Sequence, residues 1–79
     1  MKLKAIRPEK NITDQIRYLI IESDEGDSRG FFLFMHESLE EPCDYDLWFS
    51  DIESAKRQAN INYGIEFGDW VPFNFSFKG

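Results

Sequence analysis

The sequence predicts an α+β fold, with one helix packed on one face of an antiparallel sheet. Runs rich in β-branched and aromatic residues alternate with short polar stretches, as in a sheet of short strands. One later segment spaces its apolar residues by three and four positions, as an amphipathic helix does. Aromatic residues make up 16% of the 79 residues and can supply a dense core. Residues 1–79 are therefore predicted to form a single domain.

The first two strands are predicted from alternation and β propensity. Apolar residues alternate with lysines before Pro8, which ends a short first strand. The run QIRYLIIES at 15–23 predicts a second strand, with Ile16, Tyr18 and Ile20 on one face.

The next two strands follow polar connections. Residues 24–30 are polar and contain two glycines, so the strand predicted at 31–37 pairs with its predecessor as a hairpin. The run YDLWF at 45–49 predicts a fourth strand, whose odd-numbered residues face the core and whose Asp46 faces outward.

The helix is predicted to begin at Ser50, because SDIE fits a capping box between Ser50 and Glu53. Gly64 is placed to end it in the left-handed conformation. Its apolar stripe consists of Ile52, Ala55, Ala59 and Tyr63. The alternating residues Val71, Phe73, Phe75 and Phe77 predict a final strand, and Pro72 predicts either an edge position or the start of the strand.

The sheet carries more apolar surface than one alanine-rich helix can cover. Phe32, Phe34 and Trp48 are predicted to lie on the face opposite the helix. This second face either forms a homodimer or binds another protein, since exposed apolar patches commonly mark interaction sites. The alternative is that loop 38–44 and the C-terminal strand wrap over it. Trp70 is predicted to pack in the core.

The charge pattern bears on the kind of partner. The net charge is −6, and residues 22–53 contain eleven acidic residues against one arginine. Such a surface repels phosphate backbones, which argues against nucleic-acid binding, and it attracts a basic partner. The acidic candidates for partner binding are Asp24, Asp27, Glu40 and Glu41. A solvated surface that only aids solubility is the alternative.

The sequence predicts no catalytic, cofactor-binding or metal-binding residue. His36 and Cys43 are the only residues of their kinds, and the acids around Cys43 oppose the thiolate that a nucleophile needs. Asp24 and Asp27 lack the spacing of an EF-hand loop and suit a turn. Glu40 and Glu41 fit a solvated charge run better than an acid–base pair.

The lone cysteine and the N-terminus also predict the location. A small domain without disulfides points to a reducing compartment. The basic N-terminus leads into no apolar segment of signal-peptide type, and the longest apolar run, 31–35, is far shorter than a membrane span. The expected location is the cytoplasm, with no membrane association.

Two resemblances cover the stretch from Ile16 to Gly64. The strand pair with its DEG turn, followed by the helix SDIESAKRQAN, is similar to the HicB antitoxin layout. The DxW segment ending at Trp48, the helix ending in YGI and the following Trp70 resemble short uncharacterised bacterial α+β proteins. The second resemblance implies no established activity.

Together these observations favour a non-catalytic protein-interaction module, antitoxin-like or immunity-like. The alternative is a small ligand-binding or enzymatic subunit whose site forms across a dimer interface.

Overall fold

The computed structural model describes residues 2–9, 14–23 and 30–73. Within them, five strands form one antiparallel sheet in the order β4-β3-β2-β1-β5, and a helix packs on one of its faces. The predicted α+β fold is confirmed. The elements are β1 (Lys2–Ile6), β2 (Tyr18–Ser23), β3 (Phe31–His36), β4 (Tyr45–Phe49), α1 (Ile52–Tyr63), a 3₁₀ turn (Phe67–Asp69) and β5 (Val71–Pro72).

The core lies between α1 and the central strands. Leu19 and Ile21 of β2 and Leu33 and Met35 of β3 point at the helix and are buried, as are the two alanines of the helix stripe. The small alanine side chains let the helix lie close to the sheet. Trp70, only 8% exposed, packs into the same core, as predicted. The buried cluster includes Leu19, Ile21, Leu33, Met35, Ala55, Ala59 and Ile65.

The helix begins one residue later than predicted. The N-cap is Asp51, not Ser50: its Oδ1 accepts a hydrogen bond of 2.7 Å from the Ser54 backbone N–H. A charged oxygen at the positive end of the helix is a stronger acceptor than a hydroxyl. This backbone hydrogen bond lowers the pKa of Asp51. At the other end, Gly64 adopts φ 72°, which confirms its predicted role.

The second strand is shorter than predicted, and Ile16 does not share a face with Tyr18 and Ile20. The Asp14 carboxylate accepts a 2.9 Å hydrogen bond from the Ile16 N–H and turns the chain, so that Ile16 enters the helix-side core. That expectation was wrong because the period-2 pattern holds only from Tyr18 onward.

Arg7 is buried. The sequence did not indicate this, because Arg7 belongs to a basic N-terminal segment. Its Nη1 lies 2.6 Å from Asp14 Oδ1 and 3.2 Å from the Ile16 carbonyl oxygen. The guanidinium carbon is 4.9 Å from the centre of the Tyr63 ring. A buried charge requires such partners, and here they tie the turn after β1 to the end of the helix.

β5 lies at one edge of the sheet, as Pro72 predicted, and pairs with β1. The rest of the predicted final strand, at 74–77, falls outside the described residues. In the part of the chain that the structure describes, no helix has the length and hydrophobicity to cross a membrane.

Candidate interaction surface

The sheet face opposite α1, called here the open face, brings the three predicted aromatic residues together. The register places Phe32 directly opposite Trp48, and Phe34 between Asp46 and Ile20. Directly opposed side chains in an antiparallel pair point to the same side. Phe32, Phe34 and Trp48 thus form one aromatic band across β3 and β4.

The rings of the aromatic band are ordered by contacts within the sheet. The Phe32 and Phe34 rings stack with centroids 5.5 Å apart and an angle of 19° between their planes. Trp48 lies over Gly30, and a Cβ added there would clash with the indole ring and lie 2.5 Å from the Phe49 carbonyl oxygen. Trp48 is still 45% exposed. The need for glycine at position 30 was missed, because it depends on a side chain of another strand.

A cleft of about 300 Å³ occupies the centre of the open face. Phe34 and Ile20 belong to its lining, and Ile20 is buried although it lies on this face. Leu39 and Cys43 of the loop line it too, as does Phe73, whose backbone N–H donates to the Lys2 carbonyl oxygen at 2.9 Å. The loop and Phe73 therefore cover part of the face, as the wrapping alternative expected, while the aromatic band remains partly exposed.

Residues 37–44, called here the acidic loop, are held by their own hydrogen bonds. The Glu37 N–H donates to Asp44 Oδ2 at 2.9 Å, and the Glu40 N–H donates to Ser38 Oγ at 3.2 Å. His36 Nδ1 lies 3.2 Å from the Glu41 carbonyl oxygen. These bonds fix the backbone at the edge of the open face and leave the Glu40 and Glu41 residues exposed to solvent.

His36 and Cys43 both line the cleft, although the sequence separates them by seven positions. The contact of His36 with the loop backbone gives it a structural task in holding the acidic loop. Asp24 and Asp27, the other two acidic candidates, lie outside the described residues.

Charge is distributed unevenly across the sheet. Residues 37–53, which contain the acidic loop and β4, hold seven acidic residues and no lysine or arginine. Towards the other edge of the sheet, β1 places Lys2 and Lys4 on the open face. Lys2 Nζ lies 3.9 Å from Glu22 Oε1, and Lys4 Nζ lies 5.0 Å from the Phe73 ring centre. The aromatic band is therefore next to the acidic side.

The fold and this surface define a small α+β protein whose sheet, in the described residues, has a helix packed on one face and an aromatic band on the other. Comparisons with protein-family models, with curated proteins and with solved structures gave no match to this chain.

Proposed function

We propose that this chain is a non-catalytic protein-interaction module that binds a basic protein partner through the aromatic band and the acidic loop. The proposal depends on one observation above all. Trp48 is 45% exposed on the face that the helix does not cover, beside the stacked rings of Phe32 and Phe34.

The aromatic band has the chemistry of an interface centre. Tryptophan and other aromatic residues are enriched among the residues that dominate binding energy, because they bury much apolar area at a small cost in side-chain entropy. Here the stacked phenylalanines and the ring placed over Gly30 are already ordered by the sheet. An ordered surface loses less conformational entropy on binding.

The acidic residues define the charge of the partner. The segment 37–53, with seven acids and no lysine or arginine, attracts a basic protein and accelerates its association. The same charges disfavour a second copy of the chain, since two acidic loops would then lie close together. A basic protein therefore fits this surface better than self-association does.

The proposed role is sequestration, in the manner of an antitoxin or an immunity protein. A small acidic module that covers the basic surface of another protein can block it by occupancy alone. Such a role needs an exposed, ordered surface and no reactive group, which agrees with the placement of His36 against the loop backbone.

A site-specific cross-linking experiment tests the proposal. A photo-reactive phenylalanine derivative replaces Trp48 in the cells in which the protein is native, and a control chain carries it at Ile61, an exposed apolar position on the helix. We expect adducts with one basic protein from position 48 and none from position 61. Equal adducts from both positions, or none from position 48, would contradict the proposal.

The purified partner then permits a quantitative test. Trp48→Ala should weaken binding about thirtyfold or more, the effect of losing an interface residue worth about 2 kcal/mol. Ile61→Ala should leave the affinity unchanged. Titration calorimetry measures both, and circular dichroism checks that each variant is folded. An unchanged affinity for folded Trp48→Ala would refute the proposed surface.

A further inference from the structure

The two edges of the described sheet differ in how they resist pairing with another strand. At one edge, β5 has only two residues, and Pro72 has no N–H to donate. At the other edge, β4 has five residues and no proline. Natural edge strands are usually short, charged or interrupted by proline, since a long apolar edge invites strand addition.

β4 also exposes apolar side chains on both faces of the sheet. Tyr45 and Leu47 point to the helix side and are 63% and 42% exposed, while Trp48 points to the open face. Asp46 is the only charged residue of the strand. The strand therefore offers apolar contacts on both faces to an extended segment beside it.

We propose that the partner binds by adding a basic, extended segment as a sixth strand alongside β4. This inference rests on the proposed function and names the part of the partner that would be recognised. In strand addition, backbone hydrogen bonds supply much of the affinity, and alternate side chains supply the specificity.

The side chains of β4 define the sequence pattern of that segment. Its residues on the open face would lie beside Asp46 and Trp48, so a lysine or arginine there gains an ion pair and a cation–π contact. Its residues on the helix side would lie beside Tyr45 and Leu47 and should be apolar. The segment should thus alternate basic and apolar residues.

The β4 strand of a second copy could pair with β4 in shape, but its charge is not complementary. Antiparallel pairing of two β4 strands centred on Leu47 would place each Asp46 opposite the other copy's Trp48, an arrangement without like-charge repulsion between the paired side chains. It would also bring together two segments 37–53, each with seven acids and no lysine or arginine. Charge complementarity therefore selects a basic segment.

The test uses the full chain and a capped nine-residue peptide that alternates lysine with valine. We expect the peptide to slow amide hydrogen exchange in β4 and to change Trp48 fluorescence. A peptide with glutamate in place of lysine should not bind measurably. A lysine–valine peptide N-methylated on all its backbone amides, so that neither edge can donate, should bind at least about tenfold more weakly.

Charge reversal on the protein gives a matched pair of variants. Asp46→Lys should weaken binding of the lysine peptide about three- to tenfold, since an attractive neighbour becomes a repulsive one. Glu9→Lys changes the net charge equally, on an exposed residue after β1, and should have a smaller effect.

The outcomes separate this inference from the proposed function. Unchanged exchange in β4, equal binding of the N-methylated peptide, or no binding of the lysine peptide would overturn strand addition. If position 48 still cross-links to a basic partner, the proposed function survives and the partner binds by its side chains alone. A dimer of the free chain in sedimentation, with β4 amides protected, would assign the edge to a second copy and refute the inference.

Discussion

Replacement of Gly30 by alanine tests the packing that orders the aromatic band. Gly30 is buried, and the Trp48 indole lies against it. A Cβ at this position would clash with the ring and would lie 2.5 Å from the Phe49 carbonyl oxygen. The ring can rotate away, but the carbonyl belongs to the backbone of β4 and can move only if the strand moves.

The magnitude follows from these two contacts. Overpacking a well-filled site costs about 1–3 kcal/mol, and both the ring and the strand must shift here. We therefore expect Gly30→Ala to lower the free energy of unfolding by about 2–3 kcal/mol. For a domain of this size, that corresponds to a fall in melting temperature of roughly 10–20 °C.

A double-mutant cycle separates the two contacts. In the Trp48→Ala background only the Phe49 carbonyl remains in the way, so Gly30→Ala should cost about 1 kcal/mol there. Urea unfolding of the four proteins, followed by circular dichroism, gives the coupling energy. A cost for Gly30→Ala below about 0.5 kcal/mol, or no coupling with Trp48, would refute the placement of the indole over Gly30.

Two further predictions concern the ends of elements. Asp51→Ala should lower the melting temperature by a few degrees while Ser50→Ala leaves it nearly unchanged, because Asp51 caps the helix; equal effects in thermal unfolding would contradict this assignment. Asp14→Asn should cost about 1–2 kcal/mol at pH 7, since Arg7 is buried and loses its charged partner, while the half-exposed carboxylate limits the effect. The Ile16 backbone hydrogen bond, and then Arg7, lower the folded-state pKa of Asp14, so its contribution is present above the unfolded pKa and disappears as pH falls through the folded value. In urea unfolding, the difference between variant and parent should therefore be full at pH 7 and shrink as the pH falls below the ordinary pKa of 3.8. A difference that does not shrink on acidification would contradict the mechanism.

Elements set by local sequence were predictable. The bounds of β4 match the run YDLWF. Gly64 ends the helix because the backbone at this position adopts the left-handed conformation, which glycine takes most readily. The aromatic band also followed from alternation along β3 and β4. In each case the information lies within a few consecutive residues.

Features that depend on distant partners were not predictable. Arg7 is buried because the fold brings Asp14 and Tyr63 into contact with it. The residues next to Arg7 in the sequence do not indicate these contacts. The N-cap was misassigned for a different, local reason: Ser50 and Asp51 are adjacent, and both kinds of side chain can accept the capping hydrogen bond. The sequence predicted Gly30 only as part of a connection, whereas in the structure the Trp48 side chain of β4 lies over it.

The most direct test of the binding surface compares the two tryptophans of the unmodified chain. Hydroxyl-radical footprinting with mass spectrometry measures how fast each side chain is oxidised. We expect Trp48 to react several times faster than Trp70, which packs in the core, and the basic partner to slow the oxidation of Trp48 alone. Equally slow oxidation of both tryptophans in the isolated chain would show that the aromatic band is covered within the protein and would contradict the proposed binding surface.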